Sequence, residues 1–290
     1  MKKFFALAGI LSAVMINIPS AIAQTVSSLN GQSMNGSTGL YSIPSGHIGW
    51  ENGDFGLDLG YRAIINNNSG IAHVPSLTAS LFKLVEISAV FDFQPALDYA
   101  GNHKNDDLIL GVKFKLPTNI SDSKNPSIAI GGNVQLINIT NIANNKNYSY
   151  NAYQPYLAVT YTGAFFNMSA QTTLVFGKTF YSGGPENNSD IDFGMGFDLI
   201  LFPDVFNDAV HWIIDFANFS YSDNSWPNSF YHGSGPSWYR GILNTGFRID
   251  LSSFSVFSKF KFLVDLVFND LFDAGGRSFT VGTVFGFSTP

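Results

Sequence analysis

The chain has 290 residues, with 15 Lys+Arg against 21 Asp+Glu and a formal charge of −6, and this acidic balance argues against a nucleic-acid partner. Charged residues are 12% of the chain while aromatics reach 15%, with 28 Phe. So little charge beside so much Phe is hard to keep monomeric in water. Cys is absent, which excludes a disulfide scaffold, a thiolate metal site and a lipid anchor on a processed N-terminal Cys.

Residues 1–23 read as a secretory signal. Lys2 and Lys3 precede an apolar stretch, Phe4 to Ile18, that is too short for a spanning helix. Ala21-Ile22-Ala23 supplies a small-x-small cleavage pattern, so the processed chain is expected to begin at Gln24. A retained anchor helix is the alternative. No later apolar run is long enough for a membrane helix. A closed β-barrel is then the one remaining way to span a bilayer, because every backbone group has to be paired internally. Residues 24–52 are polar and rich in Gly, Ser and Asn, with a turn at Pro44. They read as a periplasmic lead-in, with entry into the barrel mouth as the alternative, and 53–290 reads as one transmembrane barrel.

From Phe55 onward apolar residues recur with a period of two, the signature of strands with one apolar face. Phe55, Leu57, Leu59, Tyr61 and Ala63 oppose Gly56, Asp58, Gly60 and Arg62. Leu77, Ala79 and Leu81 follow, then a tight turn near Leu84. Val85, Ile87, Ala89, Phe91 and Phe93 oppose Glu86, Ser88 and Asp92. Leu108 to Leu116 carries Lys113 and Lys115 on its polar face, and Ile128 to Leu136 carries Asn133 and Gln135. An Asn-dense loop is expected over 138–151, and Gly163 is expected in a hairpin between Tyr161 and Phe166. Ile191 to Leu201 opposes Asp190, Asp192 and Asp198, three carboxylates that suit a wet lumen better than a dry core. Val210 to Phe216 loses phase at Asn218-Phe219, which a bulge or a strand running beyond the membrane would explain. Leu243 to Leu251 opposes Arg240, Arg248 and Asp250, and Phe260 to Phe268 opposes Lys259, Lys261 and Asp265. Tyr61, Tyr153, Tyr161, Trp212 and Tyr239 are candidates for aromatic girdles. The fold class is therefore all-β: an antiparallel up-and-down transmembrane barrel of about twelve strands (roughly ten to fourteen), each near the length a tilted span needs. An even count puts both termini on one side, expected to be the periplasm.

The closing strand, Arg277 to Phe287, places Phe279, Val281, Thr283, Phe285 and Phe287 on one face. Within it Thr280, Gly282, Phe285 and Phe287 fit polar-x-Gly-x-x-aromatic-x-aromatic. This spacing resembles the C-terminal insertion signal of Gram-negative outer-membrane β-barrels. The resemblance implies an outer-membrane location, pairing of the last strand with the first, and recognition by the barrel assembly machinery. Ser288, Thr289 and Pro290 follow the final aromatic, where the family pattern stops. A second resemblance covers about ten residues: Gly39-Leu40-Tyr41-Ser42-Ile43-Pro44-Ser45 is similar to the entry segment of YjbH-type outer-membrane proteins linked to exopolysaccharide.

The inward charges are Asp58, Arg62, Glu86, Asp92, Lys113, Lys115, Asp190, Asp192, Asp198, Arg240, Arg248, Asp250, Lys259, Lys261 and Asp265. The leading reading is a porin-like channel for passive diffusion of small hydrophilic solutes, lined by these residues. Inward Gly, Ser, Thr and Asn favour open space, although twelve strands lie between filled and open barrels. The alternative is a structural or surface-interaction barrel whose interior is plugged, with Tyr148, Tyr150, Trp226, Phe230 and Tyr231 as loop aromatics. The third reading is an outer-membrane lipid hydrolase. It needs a Ser and a His within reach. The histidines are His47, His73, His103, His211 and His232; His73 lies near Ser76 and His103 near Asp106, while His211 is expected to face inward. Gly-x-Ser-x-Gly is absent. No metal or cofactor is expected. Asp190-x-Asp192 and Asn105-Asp106-Asp107 lack the Gly and Glu of a calcium loop, and Gly194-x-Gly196 lies in strand alternation rather than before a helix. Lipid, the assembly machinery and a small solute are the expected partners.

Overall fold

The computed structural model describes residues 31–66, 70–94, 103–117, 126–141, 145–165, 168–183, 191–219, 241–254, 260–272 and 277–289. Strands form wherever the dyad pattern runs: β1 Phe55–Asn66, β2 Gly70–Leu81, β3 Val85–Gln94, β4 His103–Lys115, β5 Ser127–Asn141, β6 Lys146–Phe165 and β7 Met168–Gly177. They continue as β8 Phe180–Ser182, β9 Asp192–Ile200, β10 Val210–Ala217, β11 Ile242–Asp250, β12 Lys261–Asn269 and β13 Ser278–Ser288. All neighbours pair antiparallel. The ring closes where β1 meets β13, from Gly56 opposite Ser288 to Asn66 opposite Ser278.

β7 and β8 are one wall strand. Gly177 pairs with Tyr156 and Phe180 with Tyr153, in unbroken register along β6. Between them the Lys178 N–H donates to Pro155 O at 3.1 Å. Pro155 has no N–H with which to return the bond, so the ladder lapses there. The wall is thus a closed barrel of twelve strands. Its two ends meet at one rim, where the Thr289 N–H donates to Phe55 O at 2.8 Å. This near rim also carries the β2–β3 turn, the short helix Pro203–Phe206 and the 3-10 turn Leu251–Ser253. In the β2–β3 turn Phe82 and Lys83 both take positive φ, the geometry that matches strand twist in a two-residue hairpin.

The outer wall is apolar. Leu77, Ile87, Phe91, Leu110, Phe114, Ile130, Leu157, Phe176, Phe247 and Phe268 are exposed on it, as are the girdle candidates Tyr61, Tyr153, Tyr161 and Trp212; Tyr239 lies outside the described residues. Among the described residues no helix is long and apolar enough to cross a membrane.

Three local expectations are corrected. Gly163 does not turn a hairpin: it sits inside β6 opposite Ala170, and the reversal comes after Phe165. The Asn-dense stretch expected as a loop is strand on both sides, up to Asn141 and again from Lys146. There Ile137, Ile139, Tyr150 and Ala152 alternate inward and cluster, with Tyr181 packed against them. The phase slip at Asn218-Phe219 is a strand end rather than a bulge. β10 stops at Ala217, Asn218 exchanges hydrogen bonds with the Phe193 main chain, and Phe219 turns into the interior.

The closing strand fits β1 through its glycines. A Cβ on Gly286 would fall 1.9 Å from Asp58 Oδ1, and Asp58 cannot swing aside because Lys261 and the Trp50 indole hold it. Gly286→Val is therefore expected to overpack the seam by about 1–3 kcal/mol. Gel shifts of folded against heated protein should show unfolding at a lower temperature; an unchanged transition would contradict this account of closure.

Candidate functional site: the filled interior

The interior is occupied by the chain itself. Residues 31–50 run through the barrel and all but His47 are buried. The stretch read as a periplasmic lead-in lies inside the wall over these residues. It is irregular, with isolated bridges only at Gln32–Thr38 and Gly39–Pro44. An irregular segment leaves main-chain N–H and C=O groups without internal partners, and buried groups of that kind require partners elsewhere. The wall supplies them.

The wall's cations take the carbonyls. Lys113 donates to Thr38 O at 2.9 Å, Arg248 to Gly39 O at 2.9 Å and Lys261 to Gly49 O at 3.2 Å, while Arg62 donates to Gln32 O. The wall's carboxylates take the N–H groups. Glu86 accepts from Thr38 N at 2.8 Å, Thr38 Oγ1 at 2.5 Å and Gly49 N at 3.0 Å. Asp215 accepts from the N–H and the hydroxyl of Ser42, both at 2.7 Å, and from Asn244 at 2.9 Å. Asp58 accepts from the Trp50 indole at 2.8 Å and from Lys261 at 2.7 Å. Lys261 also lies 4.7 Å from the centre of the Trp50 ring, within cation–π range. Ion pairs Lys113–Glu86 at 3.0 Å and Arg248–Asp265 at 2.8 Å complete the layer.

Beside this polar layer is an apolar one. Met34, Leu40, Tyr41 and Ile43 pack with inward Ile64, Val74, Val90, Ile109, Tyr156, Val175, Ile213 and Val267. A wet lumen was expected, but these wall residues share the polar phase of their strands and make a dry centre. The inward glycines are where the segment sits. A Cβ on Gly56 would meet Trp50 at 2.1 Å, on Gly60 Gln32 at 1.9 Å, on Gly194 Ile43 at 2.6 Å and on Gly196 Leu40 at 2.4 Å. Small inward residues, read as open space, are the footprint of an inserted chain.

Of the inward charges, Asp58, Arg62, Glu86, Asp92, Lys113, Lys115, Asp192, Asp198, Arg248, Asp250, Lys261 and Asp265 are buried. Asp190, Arg240 and Lys259 lie outside the described residues. The sequence reading missed Asp215, and it gave entry of the 24–52 stretch into the barrel mouth only as the alternative. Asp215 was within reach of the dyad pattern, since it alternates with Ile214 and Phe216. Thr280, the polar position of the insertion pattern, is also buried and contacts Tyr41 OH at 2.8 Å.

Among the described residues the hydrolase candidates do not assemble. Ser76 is buried and faces inward, while His73 is on the outer wall, where its Nδ1 lies 2.6 Å from Tyr61 OH. His211 is buried as expected, with Nδ1 2.6 Å from Asp198 and Nε2 2.9 Å from Asp208 O, so both ring nitrogens are occupied. The side chain of His103, and His232, lie outside the described residues. Tyr150, expected as a loop aromatic, is buried edge-on to Tyr181, with centroids 6.0 Å apart. Trp226, Phe230, Tyr231 and the Tyr148 side chain are outside the described set. Among the described residues no group of three or more His, Cys, Asp or Glu could hold a metal.

A clasp at the near rim ties the segment to β4. Glu51 meets His47 Nδ1 at 2.9 Å and Lys115 at 2.7 Å. Partial burial alone would raise the Glu51 carboxyl, but the His47 and Lys115 contacts outweigh it and hold it at about 2, below the ordinary 4.5. A depressed carboxyl contributes stability above its unfolded value and loses it as pH falls through the folded one. The clasp is thus expected to hold at neutral pH and to fail between 4.5 and about 2. Acid titration of the fluorescence of Trp50, the others substituted by Phe, should show a transition in that window that Glu51→Gln abolishes; an identical transition in the variant would remove the clasp from the account.

No protein-family model matches the sequence, and no curated protein matches it. Solved structures similar to the chain include the KdgM porin, at 9% identity over 80% of this chain and 99% of that one, with a TM-score of 0.47. The NanC porin is similar at 8% identity over 80% and 99%, with a TM-score of 0.47. LpxR from Salmonella typhimurium is similar at 8% identity over 80% and 99%, with a TM-score of 0.44.

Proposed function

We propose that this chain is an outer-membrane β-barrel of porin-like kind whose passage for small hydrophilic solutes is closed by its own residues 31–50. The apolar outer wall supports residence in lipid. The insertion pattern at Thr280, Gly282, Phe285 and Phe287 supports delivery by the barrel assembly machinery, with the near rim and both termini in the periplasm. One observation carries the closed state: wall charges that would line an open pore are bonded to the main chain of the inserted segment. Passive diffusion is therefore conditional on movement of that segment.

A permanently plugged barrel acting through its surfaces is the second reading. The dry layer around Leu40 and Ile43 favours it. The two readings differ in whether unseating the segment yields a conducting barrel.

Two glycines give a way to unseat it without changing the wall or adding charge. A Cβ on Gly39 would fall 2.2 Å from Ile43 O, inside the segment's own turn, and a Cβ on Gly46 would fall 2.1 Å from Ser127 O on the wall. Both obstacles are backbone and cannot rotate away. In planar bilayers the full chain is expected to be silent and G39V/G46V to conduct. An open full chain would end the closed reading. A silent G39V/G46V, folded by heat-modifiability and far-UV spectrum, would end the gated reading in favour of the permanent plug.

A further inference from the structure

We infer that the solutes of this passage are short uncharged peptides, bound by their main chain; this rests on the gated reading above. The inference comes from how the wall holds residues 31–50. At Thr38, Gly46 and Gly49 both main-chain polar groups are taken by wall side chains. The Thr38 N–H donates to Glu86 at 2.8 Å, and its carbonyl accepts from Lys113 at 2.9 Å. The Gly46 N–H donates to Thr160 Oγ1 at 2.9 Å, and its carbonyl accepts from the Ser127 hydroxyl at 2.8 Å. The Gly49 N–H donates to Glu86 at 3.0 Å, and its carbonyl accepts from Lys261 at 3.2 Å.

The first two of these couples are built into the ladders. Glu86 faces Lys113 across β3 and β4, and Ser127 faces Thr160 across β5 and β6. All four side chains are buried. Each couple therefore presents an acceptor beside a donor, at a spacing the sheet fixes. A peptide offers the complementary N–H and C=O at every residue, whatever its side chain. Gly46 and Gly49 are held with no side chain at all. A solute without the N–H leaves a buried acceptor unpaired, and sites built to hydrogen-bond a group reject the analogue that lacks it.

The aliphatic notches are a second, independent observation. Gly194 and Gly196 share the inward face of β9, and a Cβ on them would fall 2.6 Å from Ile43 and 2.4 Å from Leu40. The wall is thus lowered for branched apolar side chains on the same chain whose amides it reads. A sugar carries hydroxyls that could meet the couples, but nothing that fills these notches. Residues 31–50 contain no Lys, Arg, Asp or Glu, so the occupant that matches them is uncharged. The segment then holds the passage shut as an internal copy of what the passage takes. Its movement frees the couples and the notches for a peptide from solution.

The test uses the full chain carrying G39V/G46V in planar bilayers. The probe is the synthetic peptide of residues 36–46, acetylated and amidated. It is expected to lower the conductance several-fold. The same peptide N-methylated at residues 38, 42 and 46, and a neutral trisaccharide, should leave the conductance unchanged. Adding S127A/T160V, which alters no charge, should weaken the block several-fold in protein shown to be folded by heat-modifiability. Liposomes carrying G39V/G46V should also swell several-fold faster in a capped glycyl-leucine amide than in a neutral sugar of similar mass. No block by the peptide, or equal block by its N-methylated form or by the trisaccharide, would overturn the inference and leave gating standing. Equal swelling in the two solutes would overturn peptides as the solute class. A block unchanged by S127A/T160V would overturn the assignment to that couple. Silence of the folded G39V/G46V would remove the passage, and its solutes with it.

Discussion

Inside a closed strand barrel, every polar group has to find a partner without bulk water. The wall's own backbone contributes none, because its N–H and C=O groups are consumed by the ladders. What projects inward is side chains alone, and here those carry charge of both signs. The irregular segment is the complement of that surface. It offers carbonyls that the wall lacks, and Lys113, Arg248, Lys261 and Arg62 bond to them. It offers N–H groups as well, which Glu86 and Asp215 accept. Each partner satisfies a group that the other leaves exposed by folding. Filling the barrel and ordering the segment are one event for this reason.

Charge alone does not make that event favourable. Burying an ion pair returns about what desolvation removes, and a well-packed apolar replacement is often as good. The net drive is supplied by the dry layer. Leu40, Ile43 and Met34 are almost wholly buried, and each such side chain contributes roughly 1.5–3 kcal/mol. The glycines at 56, 60, 194 and 196 make this possible by lowering the wall where Trp50, Gln32, Ile43 and Leu40 come closest. The ionic contacts then fix where along the axis the segment sits, since a slide by one residue would exchange carbonyls for N–H groups at each charge.

Wall and filling were unequally legible in the sequence. The wall was readable because Phe55 to Ala63 and Leu108 to Leu116 keep a strict period of two, with one face apolar throughout. The inward placement of Asp58, Glu86 and Lys113 followed from the same parity. The inserted segment has no period, because irregular backbone is positioned by partners distant in the chain: Thr38 by Glu86, Ser42 by Asp215, Gly39 by Arg248. Small inward residues carried the relevant signal, but a glycine that admits solvent and one that admits a neighbouring side chain look alike. The Asn-dense stretch misled for a related reason. Local propensity disfavours strand there, and the ladders on either side impose it.

Wall and filling also differ in what water can do for them. With the wall in lipid, as proposed, separating two wall strands would open edges where no solvent can replace the lost ladder bonds. Moving residues 31–50 exposes carboxylates, ammonium groups and carbonyls to an aqueous passage that satisfies every one of them. The ladders of the ring give way together, whereas the segment is held by scattered contacts and two isolated bridges. Its opening would cost chiefly the dry layer formed by Met34, Leu40, Tyr41 and Ile43. On the gated reading proposed above, the wall charges that hold residues 31–50 are the charges that would face the passage.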